Sequence, residues 1–216
     1  MPRSVRRARA ADVLSPAGVV VFQIHPVPAL FRAGCFKFRN MEAFEYALQK
    51  TLKFEGGYQD NPNDPGNFNS AGVNIGTNMG ISAPALERYL GRVPTREDML
   101  QLAHETAAEI YRRDYWNAVR AGEIINPDLA ALLFDMAVNH GPASAIRTAQ
   151  RVVDVKADGR MGPITLAALN RGNAGRIIAA IVDARVNLYR GIVERRPNMQ
   201  VFYKGWVKRA LSFSGK

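Results

Sequence analysis

A glutamate closes the amphipathic run before KFEGGY (Glu55), an aspartate follows nine residues later in NDPG (Asp64), and a threonine stands further on in GTNMG (Thr77). Hydrolysis of a glycosidic bond asks for such a set: an acid to protonate the leaving oxygen, and a second polar group to stabilise an oxocarbenium-like state or activate water. A negative charge in the last turn of a helix is disfavoured by the carbonyl end of the macrodipole. With partial burial the same field raises the glutamate pKa, which suits a general acid near neutral pH. Pro62 and Pro65 turn the chain between the two carboxylates, so that they can face each other over a cleft. Carboxylates at this spacing are also common as solvated surface groups, and Asp64 reads equally well as an Asx-turn residue beside Pro65 and Gly66.

The elements that must position these groups are helices. Phe44, Ala47, Leu48 and Leu52 recur at helical spacing ahead of Glu55, and Gly56 or Gly57 supplies the stop. Ser82 with Pro84 opens a short helix that Gly91 closes. Thr95 predicts the cap of one long helix with Met99, Leu102, Thr106 and Ile110 on one face. Pro127 begins LAALLFDMAVNH, apolar on nearly all sides and therefore central. Helices follow over 143–153, from Gly162-Pro163, through Ile177, Ile181, Leu188 and Ile192, and through Phe202, Trp206 and Leu211, with a tight turn at Asp158-Gly159. Apart from a short hairpin expected within 58–81, strand alternation is absent, so the chain reads as mainly α. Tyr58, Tyr111, Tyr115 and Trp116 offer flat faces for sugar rings, with core packing the stronger reading for Tyr111 and Trp116. Asn139 and His140 end the central helix and either line the cleft or cap the helix.

With 216 residues, 47% of them hydrophobic, the chain has material for one substantial core or two small joined domains. Its net charge of +10 is concentrated at the front, where residues 1–40 hold seven Arg or Lys against one acid. That leader is expected to be a disordered basic extension rather than an export signal, because Gln23, His25, Pro26 and Pro28 interrupt its apolar patch. Cys35 is the only cysteine, which excludes an intrachain disulfide. HETAAE begins like a zinc-protease helix, but Ala108 takes the place of the second histidine, so no metal is expected there. No phosphate loop, Rossmann fingerprint or serine elbow occurs.

EGGYQDNPNDPG followed by GTNMGIS resembles the glycoside hydrolase family 108 N-acetylmuramidases, of the phage endolysin and secretion-activator type. The likeness continues through IYRRDYWNAVRAGEI (110–124) and FDMAVNHGP (134–142). It extends into KADGRMGPITLAAL (156–169), which looks like the peptidoglycan-binding half that accompanies this catalytic region. The resemblance covers about residues 41–211. It implies a lysozyme-like helical fold with a small irregular or β-hairpin region near the cleft, divided into an extension (1–40), a catalytic region (41–125) and a peptidoglycan-binding region (126–216). It implies Glu55 as general acid, Asp64 as second carboxylate and Thr77 as holder of a water, with Tyr58, Tyr115, Asn139 and His140 toward substrate. The segment 67–76 lengthens the usual connection, and the family's DPGG becomes DPGN, which leaves the position of Thr77 open.

The resemblance therefore points to cleavage of the β-1,4 bond between N-acetylmuramic acid and N-acetylglucosamine, without metal or cofactor. The partner expected is bacterial peptidoglycan, with no nucleic acid and no stable membrane insertion. A monomeric prophage endolysin, cytoplasmic until a holin lets it reach the periplasm or cell wall, is the expected biology. The rival is a non-catalytic wall-binding protein that keeps the fold. A nucleic-acid binder has only the pI of about 10.1 in its favour.

Overall fold

The computed structural model describes residues 29–53 and 57–214, with side chains from residue 41 onward. Of the leader expected as a disordered extension over 1–40, residues 1–28, with any export signal in them, lie outside the described residues, while the backbone over 29–40 is helical. Glu55 also lies outside the described residues.

Helix α1 (Ala29–Leu52) buries Phe44, Ala47 and Leu48 of the expected stripe, leaves Leu52 partly buried and buries Thr51 in addition, and its backbone begins twelve residues before Met41. The loop region over 57–82 follows, and then α2 (Ala83–Leu90), preceded by Ser82 and stopped by Gly91 in the left-handed conformation (φ 67°). Both boundaries agree with the sequence reading. Asn126 caps α5 (Pro127–His140) by accepting from Leu129 N, and every residue from Leu129 to Ala137 is buried. An all-round apolar helix needs neighbours on all sides. Helix α5 finds them in α1, in α6 (Pro142–Val152) and in α8 (Ala174–Arg195). Between α6 and α8 lies α7 (Pro163–Arg171), and α9 (Gln200–Leu211) packs back on α8. Where α1 and α5 meet, Phe44, Trp116 and Phe134 pack edge to face with ring centroids 5.5–5.9 Å apart, and Tyr111 joins Phe134 at 6.1 Å. Tyr111 and Trp116 are each 1% exposed, so both serve the core.

The long helix expected from Thr95 is instead two short ones, α3 (Arg96–Leu100) and α4 (His104–Tyr111). Thr95 does cap α3, in a reciprocal capping box with Asp98. The break has a physical cause. In a continuous helix the Met99 carbonyl would accept from residue 103; here it accepts from Asn78 Nδ2 at 3.0 Å, out of the loop region, and from Leu102 N at 3.4 Å in a tightened last turn. Past α4 the chain widens into a π-helical turn over Arg112–Trp116. Among the described residues the extended structure amounts to isolated antiparallel bridges, Gln59 with Thr77, Phe68 with Asn74 and Asn78 with Ile81. The chain is mainly α, and the small hairpin lies within 58–81 as expected.

Candidate active site

The loop over 57–82 contains few buried apolar side chains, so amide side chains hold it together. Gln59 is the hub. Its Nε2 donates to Asp64 Oδ2 (3.1 Å) and Asn67 Oδ1 (2.9 Å), while its Oε1 accepts from Asn67 Nδ2 and Asn61 N (both 3.0 Å). Its backbone meanwhile exchanges two hydrogen bonds with Thr77, at 2.9 and 2.8 Å. One residue thus joins Asp64 to Thr77. Asn67 is 0% exposed, and its carbonyl accepts from both Ile75 N and Gly76 N, which closes the hairpin. Gln59 and Asn67 are absent from the sequence-derived candidates. The signal that points to them is compositional: a long polar loop with no apolar stripe must satisfy its backbone through Asn and Gln.

Asp64 fills its turn role in full. It caps the 3₁₀ turn Pro65–Asn67, with Oδ1 accepting from Gly66 N at 2.9 Å and Oδ2 held by Gln59. Both oxygens are thereby fixed in direction, an arrangement that serves an oriented carboxylate as well as a turn. The lengthened connection is equally well tied. Asn69 accepts from Ala71 N and Val73 N and donates to Pro94 O at 2.9 Å, and Glu87 accepts from both the hydroxyl and the backbone N–H of Ser70. Tyr111 OH donates to Met79 O at 2.9 Å and so anchors the end of the loop to the core.

Among the aromatic candidates, Tyr58 is half-buried, with its hydroxyl 3.3 Å from Ile75 O and the Arg96 guanidinium 5.7 Å from its ring centre. Tyr115 is also half-buried, in the π turn, 5.8 Å from the Tyr111 ring. Turns of that kind recur at functional sites, because they re-aim side chains without breaking the helix.

Asn139 and His140 lie in a polar knot at the end of α5. Asn139 Nδ2 donates to Asp135 O at 2.7 Å, and His140 Nε2 lies 3.1 Å from Tyr189 OH. Beneath them Asp135 is wholly buried between two arginines. Arg209 donates to its Oδ1 from Nε (3.0 Å) and Nη2 (2.8 Å), and Arg185 Nη1 stands 2.7 Å from Oδ2. The Arg185 contact is a charge contact, poorly directed as a hydrogen bond, while Arg185 Nε donates to Tyr189 OH at 2.6 Å. Burial, with Arg185 and Arg209 nearby, pushes the His140 pKa down to about 4, so the ring is neutral at pH 7.

The chain matches the family model "Glycosyl hydrolase 108" over residues 48–141 and the model "Predicted Peptidoglycan domain" over residues 144–211. Among solved structures it is similar to one titled as SagA of Brucella abortus, at 34% identity and a TM-score of 0.66, covering 82% of this chain and 98% of that one. Among curated proteins there is no match.

Proposed function

The chain belongs to the glycosyl hydrolase 108 family and is a peptidoglycan hydrolase; within that class we propose that it is an N-acetylmuramidase, cutting the β-1,4 bond between N-acetylmuramic acid and N-acetylglucosamine. The observation that carries this reading is the clasp at Gln59, which fixes the direction of the Asp64 carboxylate and the height of Thr77 on one short hairpin. A hydrolytic site needs such rigidity because its groups must be in place before charge develops on the sugar. In this reading Glu55 protonates the leaving oxygen. Asp64 stabilises the oxocarbenium-like state or orients water, Thr77 holds a water, and Tyr58 and Tyr115 offer ring faces to the glycan.

The biology we propose is that of a prophage endolysin, which stays in the cytoplasm until a holin admits it to the wall. Among the described residues no helix is long and apolar enough to cross a membrane. A basic protein is drawn to an anionic wall, which supports the same reading.

The test compares the parent with Glu55→Gln on purified walls, following turbidity and the mass of released fragments. Clearing with new reducing N-acetylmuramic acid ends in the parent, and none in a folded variant, is the expected result. Wall binding without cleavage by both proteins would replace the hydrolytic reading with a binding one.

A further inference from the structure

A groove of about 380 Å³ runs between α6 and α8, lined by Ser144, Thr148, Arg151, Val152, Ala184 and Leu188. Ser144, Thr148 and Arg151 share one face of α6, and the other three lining residues, Val152, Ala184 and Leu188, are aliphatic. Arg151 is exposed and takes part in none of the ion pairs among the described residues. Asp154, three residues on, and Asp183, beside Ala184 on α8, form no ion pair with it among the described residues. The neighbouring cation, Arg147, rests its guanidinium against Gly159 and does not line the groove. The groove therefore presents an aliphatic trough with one uncommitted guanidinium at its end.

That combination suits a short acidic peptide better than a sugar. No aromatic ring lines the groove, so it lacks the stacking surface that a pyranose uses. A guanidinium matches a carboxylate in both charge and fork geometry. From Ser144 to Arg151 the groove spans about 10 Å along the helix, and an extended peptide of three or four residues spans about 10–13 Å. Peptidoglycan carries such a peptide on its muramic acid, with methyl side chains and free carboxylates. We propose that the groove between α6 and α8 binds the peptide stem of peptidoglycan, with Arg151 pairing a stem carboxylate. The proposal rests on the reading of the chain as a wall hydrolase and adds that its second half reads peptide rather than glycan.

The experiment uses the full chain and three probes: intact walls, walls stripped of stems by an amidase, and the synthetic tetrapeptide L-Ala-γ-D-Glu-meso-diaminopimelate-D-Ala. The parent is expected to bind the tetrapeptide and to prefer intact over stripped walls. Arg151→Glu, with unchanged circular dichroism and melting, is expected to weaken tetrapeptide binding by about tenfold or more and to bring the ratio of intact to stripped wall bound close to one. Ala184→Trp, which fills the trough, gives the same loss without altering charge. The proposal is overturned if the parent ignores the tetrapeptide, or if both folded variants bind it as the parent does. Cleavage of stripped glycan by a parent blind to the tetrapeptide removes only the groove assignment, whereas a parent that neither binds nor cuts any wall removes the hydrolase reading as well.

Discussion

Gly76 passes beneath the ring of Tyr58, so close that a Cβ at this position would stand 2.5 Å from Tyr58 Cε2 and 2.8 Å from Gln59 O. Its φ of +84° is one that a side chain resists even without the ring. Gly76→Ala is therefore expected to cost more than about 1 kcal/mol and to lower wall clearing, because Thr77 is the next residue. Urea unfolding beside turbidity assays checks this. Parent-like values in both would mean that the loop has room the structure denies it.

Asp64 offers a way to separate turn from charge. Asp64→Asn keeps an acceptor for Gly66 N but turns its NH2 toward Gln59 Nε2, so its stability should fall only by that one lost hydrogen bond, about 1 kcal/mol. If the carboxylate takes part in hydrolysis, turnover falls at least about tenfold while binding to walls persists. Unchanged turnover would leave Asp64 with its turn role alone.

Gln59→Leu tests the clasp. It strips one partner from Asp64 and two from the buried Asn67, and each unsatisfied buried group costs about 1–3 kcal/mol. The expected result is loss of stability together with loss of turnover. A variant as stable and active as the parent would show that the amides around Asn67 find other partners.

Removing Asp135 leaves Arg185 buried beside Arg209 without the carboxylate between them. Asp135→Ala is expected to destabilise by about 3–5 kcal/mol, the cost of breaking a buried pair from one side. A urea midpoint within error of the parent would contradict that assignment.

His140 predicts an acid limb. Its folded pKa of about 4 lies below its ordinary value of 6.5, so the unfolded chain binds the proton more readily. The stability it contributes is complete above pH 6.5 and is lost as the pH falls from there toward 4. Around it are Asp135, Arg185, Arg209 and Tyr189, all of which a charged ring would meet. His140→Asn should flatten the pH dependence of the melting temperature between 6.5 and 4. An unchanged slope would assign the limb to other groups.

Local signals wrote the helices into the sequence legibly. Ser82, Gly91, Thr95 and Pro127 act within one turn of themselves, and the stripe of α1 needs only its own spacing. What was not legible depends on partners far along the chain. The break after α3 is made by Asn78, and Asp135 looks out of place in an apolar run until Arg185 and Arg209 arrive from two later helices. The candidate site was legible as residue types in the loop, through the family pattern. The clasp was not, because Gln59 and Asn67 carry no periodicity and acquire meaning only when the hairpin closes.

Asp135 lies in the stretch that matches the hydrolase model, while Arg185 and Arg209 lie in the stretch that matches the peptidoglycan model. A gene rearrangement that kept the first stretch and grafted a foreign wall-targeting module onto it would strand a carboxylate in the interior. Exchange of the second stretch therefore costs about 3–5 kcal/mol unless the incoming module brings a cation to the same place.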